Sequence, residues 1–71
     1  MYYSTMSQLL PEIVPFPKYE MAYLKIPRGL YMNHIIVLDK PENEIHDEID
    51  RLEIDEPSRI KCHSLIKMYF S

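Results

Sequence analysis

The chain has 71 residues, 46% of them apolar and 27% charged, and carries a net charge of −3. That length holds one small domain and excludes a dinucleotide-binding fold, a TIM barrel and other multi-element enzyme scaffolds. A single cysteine, Cys62, excludes an internal disulfide framework and a four-cysteine zinc site, and a single glycine, Gly29, excludes every glycine-rich phosphate loop.

Residues 1–18 read as an irregular, proline-rich arm. Ser4 to Leu10 can make one or two helical turns, which Pro11 ends. Pro15 and Pro17 force the residues before them out of the α region, so Glu12 to Pro17 must be extended. Leu9, Leu10, Ile13, Val14 and Phe16 make this segment apolar, yet the prolines bar it from a central strand, which suggests an arm lying across another surface.

Residues 19–71 read as one α+β domain. Tyr19 to Ile26 and Leu30 to Leu38 are rich in Tyr, Ile and Val, and they flank Pro27-Arg28-Gly29, the composition of a hairpin with a short loop. Alternation then sets Leu24, Ile26, Leu30, Met32, Ile36 and Leu38 on one face. The other face takes Tyr19, Met21, Tyr23, Lys25, Tyr31, Asn33, Ile35 and Val37.

Asp39-Lys40-Pro41-Glu42 begins a helix, with proline suited to the first turn and acids suited to the positive end of the dipole. Ile45, Ile49 and Leu52 form its narrow apolar stripe, Ile54 falls off that stripe, and Pro57 marks the stop.

Arg59 to Phe70 fits two periods. A helix groups Cys62, Leu65, Ile66 and Tyr69 behind Ser58 as N-cap, whereas strand alternation aligns Ile60, Cys62, Ser64, Ile66, Met68 and Phe70. Alternation accounts for more positions, so a third strand is expected. The resulting architecture is a small three-stranded sheet, built from hairpin, helix and third strand, with one helix packed on one face. A right-handed crossover sets the third strand parallel to the second. The helix stripe then covers Leu24, Ile26, Met32, Ile36, Ile60, Ile66 and Met68.

The second sheet face is the candidate partner-binding surface: Tyr19, Met21, Tyr23, Tyr31, Ile35, Val37, Leu65 and Tyr69, interleaved with Lys25, Lys61, His63 and Lys67. Left bare, it exceeds the apolar patch that a soluble monomer shows, so the arm or another polypeptide must cover it. Tyrosine, methionine and basic residues are also what interfaces enrich. The expected function is therefore a small cytoplasmic interaction module that binds a larger protein, inhibiting or adapting it, and acts as a homodimer. An alternative reading makes the Tyr/Lys face a stacking platform for single-stranded nucleic acid, although the glycine–aromatic signature of such platforms is missing and the net charge is negative.

Charge is unevenly spread. Residues 39–56 hold nine acids against Lys40 and Arg51, a net of −7, and the remainder holds six bases against two acids, a net of +4. Glu44, Asp47, Glu48, Glu53, Asp55 and Glu56 form a secondary acidic surface. The last three are expected at a helix C-terminus, where the dipole disfavours anions, so either Arg59 and Lys61 neutralise them or a basic partner does.

His34, His46, Asp50, Cys62 and His63 are potential metal ligands. On a strand, the adjacent Cys62 and His63 point to opposite faces, and His46 with Asp50 at i, i+4 lacks a third ligand, so no metal or other cofactor is expected. His34 is expected as a hydrogen-bonded core histidine. A Cys62–histidine pair is the natural nucleophile, but burial makes the thiol inert and so few elements build no substrate pocket; an enzyme is not expected. No apolar run is long enough to span a bilayer, and the first six residues lack the basic and apolar regions of a secretory signal.

Overall fold

A computed structural model describes residues 10–29 and 31–71. The elements in chain order are β1 (Glu12–Phe16), a 3-10 turn (Pro17–Tyr19), β2 (Met21–Pro27), β3 (Asn33–Val37), α1 (Glu42–Asp50) and α2 (Glu56–Phe70). The three strands form an antiparallel meander in the order β1-β2-β3. The architecture is thus α+β with a three-stranded sheet, as expected, but its third strand comes from the other end of the chain.

Proline chemistry explains why the supposed arm is a strand. Leu38 N–H donates to the Ala22 carbonyl at 2.9 Å and Arg28 N–H to Met32 O at 2.8 Å, which makes the even-numbered residues of β2 the ones that bond to β3. The odd-numbered residues of β2 therefore bond to β1, and in the register Val14↔Tyr23, Pro15↔Ala22 the backbone of Pro15 faces outward. Its missing N–H breaks no ladder bond, so proline is admitted on this edge strand. The helical turns expected over Ser4 to Leu10 lie, apart from Leu10, outside the described residues, as does Leu30.

β1 and β2 are joined by the 3-10 turn and by Glu20, whose φ of 51° and ψ of 41° place it in the left-handed region. Tyr19 accordingly belongs to the turn and not to a strand. The β2–β3 connection spans residues 28–32, longer than the short loop expected, and this leaves Met32 68% exposed instead of in the core.

Pro41, with φ −60° and ψ 150°, stands at the N-cap of α1, one residue earlier than the first-turn position expected for it. Ile45 and Ile49 are fully buried and Leu52 packs at the margin of the core, as the stripe predicts. The chain leaves the helix after Asp50. Pro57 does not mark a stop: it sits in the first turn of a second helix, where a missing N–H costs nothing.

The segment 59–70 is helical, which corrects the third strand and with it the parallel crossover. Only Cys62 and Ile66, at i and i+4, are fully buried, with Leu65 beside them, whereas Ile60 and Met68 are exposed. Arg59, Lys61, Leu65, Lys67 and Met68 also favour the helix, because such residues lose little side-chain freedom in it. The core is one cluster: Ala22, Leu24, Ile26, Ile36 and Leu38 from the sheet side, Ile45 and Ile49 from α1, Cys62 and Ile66 from α2. Both helices therefore lie on the same side of the sheet. Among the described residues, no helix is long and apolar enough to cross a membrane.

Candidate functional site

With both helices on the core side, the opposite face of the sheet carries no helix among the described residues. Register places four rows of neighbours across it: Phe16 with Met21, Val14 with Tyr23 and Val37, Glu12 with Lys25 and Ile35, and Pro27 with Asn33. The first two rows are apolar and aromatic. Phe16 stands 4.9 Å from Tyr23 between ring centres, and Tyr19 meets Phe16 edge-on at 6.5 Å. In the third row Lys25 Nζ pairs with Glu12 Oε2 at 3.0 Å, and Ile35 is 46% exposed.

Of the residues expected to form the partner surface, Met21, Tyr23, Ile35 and Val37 share this face. Tyr19 flanks it on the 3-10 turn, and Tyr31, 93% exposed, projects from the β2–β3 loop. Leu65 and Tyr69 do not belong to it. They lie on α2, on the far side of the sheet, and Leu65 packs against the core. Lys61 and Lys67 go with them, so the lysines and tyrosines of the stacking platform are divided between the two sides. Val14 and Phe16 are members of the face that sequence reasoning missed, because an arm has no register; their alternation with Ile13 and Pro15 was the available signal.

The two edges of the sheet differ. Outward-facing backbone on β1 includes Pro15, with Pro11 and Pro17 flanking the strand, and proline blunts an edge against further pairing. On β3 the hydrogen-bond phase turns the N–H and C=O groups of Asn33, Ile35 and Val37 outward. That strand, Asn33-His34-Ile35-Ile36-Val37, contains no proline and no lysine or acid. Among the described residues, it is the unprotected edge.

The acidic surface is also repositioned. Glu44 and Asp47 are exposed on α1, and Glu48 pairs with Lys40 at 3.3 Å. Glu53 lies in the connection between the helices. Asp55 is the N-cap of α2 and Glu56 its first residue, so these two stand at the positive end of a dipole, not the negative end expected. For Asp55 and Glu56 the misfit that suggested a basic partner is thereby removed. Glu56 also meets Arg59 Nε at 3.6 Å, while the Nη atoms of Arg59 donate to the carbonyls of Ile49, Leu52 and Ile54.

The potential metal ligands fall into two groups. Cys62 is buried in the core, where loss of solvent raises its thiol pKa to about 11, an effect that nearby Arg59 partly opposes. His34 is half-buried at the end of the covered sheet face, opposite Ile26. His46 and His63, by contrast, face each other between the helices. Their Nδ1 atoms are 2.6 Å apart, His46 Nε2 lies 3.1 Å from Glu42 Oε2, and His63 Nε2 lies 2.8 Å from Asp50 Oδ1. Helical geometry on 59–70 is what turns His63 towards α1 while Cys62 enters the core.

Comparison with protein-family models, with curated proteins and with solved structures finds no match.

Proposed function

We propose that this chain is a small cytoplasmic protein-interaction module that dimerises through β3 and presents the joined open faces to a larger protein, whose activity it modulates by occupying its surface. The observation that carries the reading is the asymmetry of the sheet edges: proline on β1, an uncharged and proline-free strand on β3. A two-fold axis beside Ile35 would pair β3 with a second β3 in antiparallel fashion, because Asn33, Ile35 and Val37 already turn their backbone groups outward. The same three residues carry their side chains on the open face, so two copies would merge Val14, Phe16, Met21, Tyr23, Ile35 and Val37 into one extended apolar surface. Aromatic and methionine side chains at the centre of such a patch are those that anchor protein interfaces. The role is binding and not catalysis, in keeping with a lone thiol held protonated in the core.

Light scattering coupled to size exclusion tests the first half: the full chain should elute as a dimer over a wide concentration range, and Ile35→Lys as a folded monomer. Affinity purification from the native host tests the second, with a partner retained by the wild type and lost by Tyr23→Ala. A chain that stays monomeric at the highest concentrations, with a partner set indifferent to Tyr23→Ala, overturns the reading.

A further inference from the structure

The contact between His46 and His63 is not ring stacking. The rings are inclined by only 22°, and the 4.8 Å between their centres is nearly the 2.6 Å nitrogen contact with one ring radius added at each end. The line joining the centres therefore runs through both Nδ1 atoms, which sets the two rings edge to edge in almost one plane. In that arrangement the in-plane positions on the two Nδ1 atoms point at each other.

The carboxylates decide what those positions hold. Glu42 and Asp50 can only accept hydrogen bonds when ionised, so each Nε2 must carry a hydrogen and donate it. A neutral imidazole has one hydrogen, so both Nδ1 atoms are then bare lone pairs. Two lone pairs aimed at one another require a positive charge between them.

We propose that His46 and His63 form a binding site for a divalent transition-metal ion such as Zn²⁺, held through both Nδ1 atoms. Glu42 and Asp50 fix the tautomers from behind, the outer-shell arrangement that metal-ligating histidines use. At the usual Zn–N distance, a tetrahedral site needs its two nitrogens roughly 3.3 Å apart with each lone pair aimed about 35° off the line between them, so the rings must separate by less than an ångström and turn towards a common point. Both side chains are partly exposed, 21% for His46 and 27% for His63, which permits that shift and leaves room for water to complete the coordination shell. Two carboxylates within contact of the pair add negative charge at the same place. The ion would tie α1 to α2 in a chain that has no disulfide, the kind of cross-link on which domains of this size rely.

The test is calorimetric titration of the chelator-treated full chain with ZnSO₄, with MgCl₂ as the oxygen-preferring control. One Zn²⁺ per chain should bind with micromolar affinity and raise the melting temperature, while Mg²⁺ does neither. His46→Gln and His63→Gln should each abolish the titration with the circular-dichroism spectrum unchanged, and His34→Gln should leave it intact. Glu42→Gln or Asp50→Asn should weaken binding roughly 10- to 100-fold. Because a histidine variant can lose the fold, long-range proton–nitrogen correlation spectra of the wild type provide a second readout: Zn²⁺ should shift the Nδ1 resonances of His46 and His63. Absence of binding below millimolar Zn²⁺, or shifts confined to His34, overturns the proposal and leaves the pair with a shared proton only.

Discussion

Arg59 on α2 donates from Nη1 to the carbonyl of Ile49 on α1 at 2.8 Å. The last carbonyls of a helix have no partner within it, and a cation at that end also meets the favourable pole of the dipole. Arg59 extends the same fork to Leu52 O at 3.0 Å and Ile54 O at 3.3 Å, so one guanidinium ties together three carbonyls across the α1–α2 corner. It does for the α1–α2 corner what a glycine cap does elsewhere.

Loss of Arg59 should therefore be expensive for a partly exposed residue. Arg59→Ala is expected to lower stability by about 2 to 3 kcal/mol, the scale of hydrogen bonds made by a charged donor. Arg59→Lys keeps the charge but cannot reach three carbonyls with a planar fork, and it should recover less than half of that loss. Urea midpoints of the three proteins, compared at equal slope, measure both effects.

Cys62 supplies a pH dependence with a definite sign. Its folded-state pKa of about 11 stands above the ordinary 9.0, because burial disfavours the thiolate. The unfolded chain thus releases the proton first, so the stability present below pH 9 is lost as pH rises from 9 towards 11, by an amount on the order of 2 kcal/mol. Tyrosines and lysines titrate in the same range, and the contribution is read as the difference between wild type and Cys62→Ala. At pH 8 the thiol should react with a disulfide reagent only as fast as the chain opens, and rapid reaction in the folded state would contradict the burial.

Among the described residues, Glu20 is the non-glycine residue found in the left-handed region, at the corner that sets the β1–β2 register. That conformation costs an L-residue with a Cβ roughly 1 to 2 kcal/mol. Glu20→Gly removes the clash but adds freedom to the unfolded chain, so a net stabilisation of about 0.5 to 1 kcal/mol is expected, with Glu20→Asn intermediate. A higher melting temperature for both variants, in that order, checks the assignment.

What could be read in the letters was whatever depends on neighbours a few positions apart. The stripe Ile45–Ile49–Leu52 and the alternation of Met21 to Ile26 specified their buried sides correctly, because each lies within one element of clear period. The arm was misjudged for a different reason. Whether Pro15 breaks a ladder depends on which way its backbone faces, and that is fixed by Ala22 and Leu38, outside the segment. The His46–His63 contact was invisible for the same reason: as a strand, 59–70 separates the histidines, and as a helix it joins them.

That last ambiguity has a direct energetic test. On a strand, Ile60 and Ile66 share one face and should cost the same when truncated. On α2 they differ by six positions, well over a quarter-turn apart, with Ile60 61% exposed and Ile66 fully buried against the core. Ile66→Ala should therefore cost about 2 to 5 kcal/mol, the range for truncating a packed isoleucine, while Ile60→Ala should fall within about 0.5 kcal/mol of wild type. Alanine also favours helix over strand at an exposed site, which pushes the Ile60 variant towards a slight gain. Equal losses at the two positions would return the segment to a strand and separate His63 from His46. A large difference ties the helix, the core and the histidine contact together, since one rotation of α2 buries Ile66, exposes Ile60 and brings His63 to α1.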